Sequence, residues 1–159
     1  MFFLNMSILI LYVNFIYIYS MQWLIFSLLS AVFAALTAIL AKIGVKDVNS
    51  NLATAIRTIV ILSFAWGIVF YQGLHKQLFN ISRFSFLFLI LSGIATGLSW
   101  LFYFRALQLG AVSKVSPIDK LSLVITIVLG AIILKEKVTF GILIGAVLMS
   151  VGAILISLG

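Results

Sequence analysis

Four ionisable side chains, Arg57, Arg105, Asp119 and Lys120, stand within or at the edges of long apolar stretches of this 159-residue chain. On insertion scales a charge near the bilayer centre costs at least about 2.5–3.5 kcal/mol, so each of the four calls for an explanation. Arg57, Arg105 and Lys120 have stems long enough to carry their charge to lipid headgroups. Asp119 has no such reach, so it must pair with Arg57, Arg105 or Lys120, or else face water. Two chemistries stay open: a structural ion pair, or a charged pair lining the path of a polar solute. Hydroxyls recur nearby at helical spacing. Ser92, Thr96, Ser99 and Tyr103 follow one another at three- and four-residue steps, with Trp100 in the same run, while Ser116, Ser122 and Thr126 lie beside Asp119. Such groups can line a cavity or hold helices together. Catalysis finds no equipment: there is no cysteine, His75 is the single histidine, and neither a nucleophile–base set nor a metal cluster can be assembled. No enzyme and no cofactor are expected.

The composition says what must position these groups. Hydrophobic residues make up 65% of the chain and charged residues 8%, with a mean hydropathy of +1.35. A soluble domain carries roughly 25% charged residues. Thirteen charges, ten basic and three acidic, cannot keep a folded surface wet, which excludes a soluble enzyme, a nucleic-acid reader and a disordered tail. The bases stand singly between apolar runs, where they anchor helix ends at headgroups.

At about 20 residues per crossing, the chain holds five or six spanning helices and little else. Polar stretches and turn residues divide it into spans at about Gln22–Ile43, Leu52–Tyr71, Phe84–Gln108, Val112–Leu134 and Val138–Leu158. Ser50 or Asn51 is expected to cap the second, and Gly110 to end the third by tolerating a left-handed cap. The fold class is therefore an all-α integral membrane bundle of five helices over residues 21–159, plus an apolar N-terminal segment, residues 1–20. That segment has neither the basic start nor the cleavage site of a signal peptide. Continued into the first span it would make a helix of roughly 60 Å, twice the hydrocarbon thickness. An extra helix, an interfacial helix and a misassigned start upstream of Met21 all stay open.

Helices in lipid associate through small residues and a few polar contacts. Ala34 and Ala38 in the first span, Gly93 and Gly97 in the third, and Gly141 and Gly145 in the last are the candidate packing positions. The loop charges are balanced. Loops one and three carry Lys42, Lys46, Arg105 and Lys114, while loops two and four carry Lys76, Arg83, Lys135 and Lys137. Adding Arg57 and Lys120 makes six against four, no clear excess for the positive-inside rule to act on. Such a chain can insert both ways, and oppositely inserted copies can form an antiparallel pair with an axis in the membrane plane.

With spans and loops assigned, Met21–Gly159 resembles one repeat of the drug/metabolite transporter superfamily, of the EamA type. The resemblance is most specific in Gly97-Leu-Ser-Trp-Leu-Phe-Tyr-Phe-Arg-Ala-Leu-Gln-Leu-Gly110 and the following Ala111–Leu121, with Pro117 inside it. Leu134-Lys-Glu-Lys-Val-Thr139 and the Gly141–Gly152 stretch are similar to the family's Leu-Gly-Glu turn and last helix, with Lys135 where Gly is usual. Leu36–Lys42 looks like its first helix.

The resemblance implies a secondary transporter of a small metabolite working by alternating access. Many relatives carry two inverted five-helix repeats around a central cavity, so a single repeat implies a dimer, most simply a homodimer. A bacterial or archaeal inner membrane is the expected location, with lipids and a small solute as partners and no nucleic acid. The related small multidrug exporters use a first-helix carboxylate that this chain lacks, which disfavours proton-coupled efflux of lipophilic cations. Arg57 and Arg105 suit an anionic or zwitterionic solute better. The alternative is a non-transporting scaffold or regulatory subunit.

Overall fold

The computed structural model describes residues 21–159, and the expectations for residues 1–20 lie outside them. Helix follows helix: α1 (Phe2–Gly44, described from Met21), α2 (Ser50–Tyr71), α3 (Arg83–Leu109), α4 (Val112–Asp119), α5 (Ser122–Ile133) and α6 (Phe140–Leu158), with a 3-10 segment at Leu74–Asn80. No strand occurs among the described residues. Among the described residues, five stretches are long and apolar enough to cross a membrane, with α4 and α5 together making the fourth, Val112–Ile133. The chain divides between Ile39 and Leu40 into two compact units. In the first, Ala38 is buried and Ala34 exposed. All that follows concerns the second unit, residues 40–159.

Polar residues start the helices where the chain leaves a loop. Asn49 caps α2, its side-chain oxygen accepting from the Asn51 amide at 2.9 Å. The cap therefore precedes the expected Ser50 or Asn51, and Ser50 is instead buried in the first turn, its carbonyl accepting the Thr54 hydroxyl at 2.9 Å. Ser82 caps α3 by accepting from the Ser85 amide, and Thr139 caps α6 by accepting from Ile142. Each cap satisfies one of the amides that a helix start leaves without a partner.

The fourth span is not the continuous helix its apolar length predicts. Pro117, the sixth residue of the span, has no amide to donate, and from Lys120 to Val124 the backbone shifts to three-residue bonds: Leu121 to Ile118, Leu123 to Lys120 and Val124 to Leu121, each at 3.0 Å. That tightening separates α4 from α5.

Gly110 does end α3, but its backbone is extended, with φ −123° rather than left-handed. A Cβ there would lie 2.9 Å from Val115 Cγ2, so close approach of α4 is what requires a glycine. In the last loop Lys135 takes the left-handed conformation, φ 57°, that glycine adopts without cost.

Inside this unit α2 packs on α3, and α6 packs on α4 and more lightly on α5. The buried core is small and lies at the end carrying loops one and three. Ala41 and Val45 meet Phe104 and Leu107 there, and Ala53, Val112 and Val115 pack around them. This cluster fixes the last turns of α3 beside the first loop and the start of α4.

Candidate functional site

Polar tethers surround that core. The Lys42 ammonium donates to the carbonyls of Leu107, at 2.5 Å, and Gly110, at 2.8 Å. A cation there meets carbonyls that α3 leaves unpaired and the negative end of its dipole. Gln108 returns the tie, its amide nitrogen donating to the carbonyls of Val45 at 3.2 Å and Val48 at 2.6 Å. Its oxygen accepts from Arg105 at 3.0 Å.

Beside the tethers, α3, α4 and the end of α6 enclose a groove of about 460 Å³. Ser99 and Tyr103 come to it from α3, Lys114 and Asp119 from α4, and Ser157 from α6. Four-residue spacing puts Ser99 and Tyr103 on one side of their helix. The Tyr103 and Ser116 hydroxyls lie 3.1 Å apart and join α3 to α4, while the single Ser157 hydroxyl proton is shared between the Ala153 carbonyl of its own helix at 2.8 Å and the Lys114 carbonyl of α4 at 3.0 Å. Asp119 pairs with Lys120, its neighbour in sequence, at 3.2 Å, with the two side chains 33% and 53% exposed. Such an exposed pair contributes little to stability and leaves the carboxylate free to exchange partners. Between the apolar side chains of Phe102, Ala106, Val115 and Ile118, the groove gathers hydroxyls, an ammonium and a carboxylate where a polar solute could be hydrogen-bonded.

Arg57 does not line this groove, but it meets Phe104, the chain neighbour of the groove residue Tyr103. The Arg57 guanidinium carbon lies 4.4 Å from the Trp100 ring centre and 5.3 Å from that of Phe104, across the α2–α3 contact.

The remaining candidates fall elsewhere. Ser92 and Thr96 are exposed, and the Thr96 hydroxyl is spent on the Ser92 carbonyl of its own helix at 2.9 Å. Ser122 is exposed at the start of α5, its carbonyl taken by Thr126. Arg105 is exposed and engaged by Gln108. Of the partners open to Asp119, Lys120 holds it.

A Cβ at Gly93, Gly97 or Gly145 meets no atom within 4 Å, and one at Gly141 meets only Thr139 Oγ1 at 3.9 Å. Within residues 40–159 no helix closes on these glycines. Sequence reasoning missed Gln108 and Ser157 as tethers, and counted Lys42 and Lys114 only as loop bases. The acceptors of Lys42, Gln108 and Ser157 are main-chain carbonyls distant in sequence, which no residue type marks.

Apolar helices of spanning length, joined by short polar loops and bordering a groove with a few polar side chains, define a polytopic membrane protein. The particular family follows from comparison: the chain belongs to the EamA-like transporter family, whose profile matches residues 21–158. A protein from a Sinorhizobium species, named as an uncharacterized transporter in the cobO 3′ region, is 46% identical over 138 residues. That alignment covers 87% of this chain and 98% of the relative. No solved structure matches the chain.

Proposed function

We propose that the protein is a secondary transporter of a small metabolite, working by alternating access as a dimer of single-repeat chains in a bacterial inner membrane. The observation that carries this reading is the groove between α3, α4 and α6, where Ser99, Tyr103, Lys114 and Asp119 gather inside candidate membrane spans. A membrane-embedded ionisable pair beside hydroxyls is a common sign of a solute path. Lys120 belongs to that path as the resting partner of Asp119.

Support for the dimer comes from three sides. The relative that is 46% identical is matched over 98% of its length by 138 residues, so its length is about that of the matched stretch. Loop bases are divided four and four between the two sides, which permits opposite insertion. Within residues 40–159, a Cβ at Gly93, Gly97 or Gly145 meets no atom within 4 Å, which leaves these positions open to a second copy.

The test is solute loss from proteoliposomes loaded with a low-molecular-weight bacterial extract and analysed by mass spectrometry. At least one solute is expected to leave in dependence on the protein, and Asp119→Asn is expected to slow it about tenfold, a loss of roughly 1.4 kcal/mol at the transition state. Loss that matches protein-free vesicles for every solute would contradict the reading.

A further inference from the structure

We propose that Arg57 is an oxyanion-binding residue, presenting the edge of its guanidinium to a carboxylate or phosphate group of the transported solute; this rests on the transporter reading above. Three observations lead there. Arg57 lies two turns into α2, inside a candidate span, yet among the described residues no carboxylate pairs with it and no acceptor takes a hydrogen bond from it. Asp119, the one acid within the spans, is held by Lys120 instead.

Second, the side chain does not run along its helix toward the headgroups. It crosses to α3, where its guanidinium carbon lies 4.4 Å from the ring centre of Trp100 and 5.3 Å from that of Phe104. The attraction of a cation to aromatic rings needs no hydrogen-bond acceptor, so it leaves N–H donors of the guanidinium for another partner. A planar fork of donors, held beside the rings, is suited to bind two oxygens of one oxyanion at once.

Third, the other arginine of this region, Arg105, is exposed and bonded to Gln108 at 3.0 Å, which leaves Arg57 as the half-buried arginine of that half with no hydrogen-bonded partner among the described residues.

A lipid phosphate offers the same chemistry as a solute, so the test must separate the two. Trp100 is a built-in reporter, since it touches the guanidinium. The full chain carrying Trp23→Phe and Trp66→Phe, reconstituted in phosphatidylcholine vesicles, leaves Trp100 as the only tryptophan. Its fluorescence is titrated with sodium acetate and with inorganic phosphate at constant ionic strength, against chloride as the control, and is compared with vesicles containing phosphatidylglycerol. Expected is a saturable change with acetate or phosphate. Arg57→Gln should abolish it, and Arg57→Lys, which keeps the charge but loses the fork, should raise the half-saturating concentration at least tenfold. Circular dichroism and gel filtration establish that both variants stay folded.

A response unchanged in Arg57→Gln, no response to either anion, or a response to phosphatidylglycerol alone would each overturn the proposal. The readout is binding and needs no transport. Solute loss that depends on the protein but is insensitive to Arg57→Gln would sink the oxyanion role alone. Anion binding without any solute movement would sink the transporter reading and leave the binding site.

Discussion

The two ends of the helices in residues 40–159 are built differently. At the end with loops one and three, side chains tie distant segments together: Lys42 and Gln108 join the first loop to α3, Tyr103 meets Ser116, and Ser157 reaches Lys114. Val45 and Leu107 are almost wholly enclosed there, at 1% and 0% exposure. At the end with loops two and four, the described residues show no side-chain hydrogen bond between distant segments; the caps at Ser82 and Thr139 act within three residues. One end is locked by charge-assisted bonds and a packed core. Local caps and apolar contact hold the other. In a transport cycle of the kind proposed, the locked end is where specific bonds must break before the helices part, and the groove with Asp119 lies beside it.

Breaking the core should have the largest effect. Leu107→Ala is expected to lower unfolding stability in mixed micelles by about 2–5 kcal/mol, the range for a buried leucine left as a cavity. Leu98→Ala, half-exposed on the same helix, should stay within about 0.5 kcal/mol of the parent. Equal effects at both positions would erase the contrast between the ends.

Next comes Lys42→Met, which removes two charge-assisted bonds and should cost about 1.5–3 kcal/mol in the same assay. Arg83→Met at the opposite end should change stability by less than about 0.5 kcal/mol. Hydrogen exchange gives a second view, since losing Lys42 should speed amide exchange in the first loop and the last turn of α3 and leave the loop-two end unchanged.

The smallest expected effect has the opposite sign. Lys135→Gly should stabilise the chain by about 1 kcal/mol, because the left-handed φ of 57° is strained for a lysine and free for a glycine. A neutral or destabilising result would mean that the lysine side chain contributes more there than the backbone strain costs.

The five spans were legible because apolar runs of spanning length alternate with short polar loops, a contrast that needs no tertiary information. Asp119 and Tyr103 could be singled out for the same reason, each being polar within an apolar helix. Gly110 was recognised as a helix stop with the wrong cause, since a left-handed cap and a close approach by Val115 both call for glycine. The division of the fourth span was not legible: Pro117 marks a weak point, but the shift in hydrogen bonding extends beyond it to Val124. Lys42 and Gln108 were hardest to read. Their acceptors lie 60 or more residues away along the chain and are carbonyls, which every residue carries.

Central to the proposed mechanism is a single five-helix unit that finds its counterpart in an oppositely inserted copy. Because the chain contains no cysteine, two single-cysteine variants test this without altering any charge: Ser113→Cys on the loop-one and loop-three side, and Asn80→Cys in loop two. Each is treated with a membrane-impermeant maleimide in right-side-out and in inverted vesicles. The two variants are also co-expressed and cross-linked through their thiols. Both positions are expected to label in part from both sides, and cross-links are expected between position 113 of one copy and position 80 of another. Labelling of each position from one side only, with cross-links solely between like positions, would contradict the antiparallel pair.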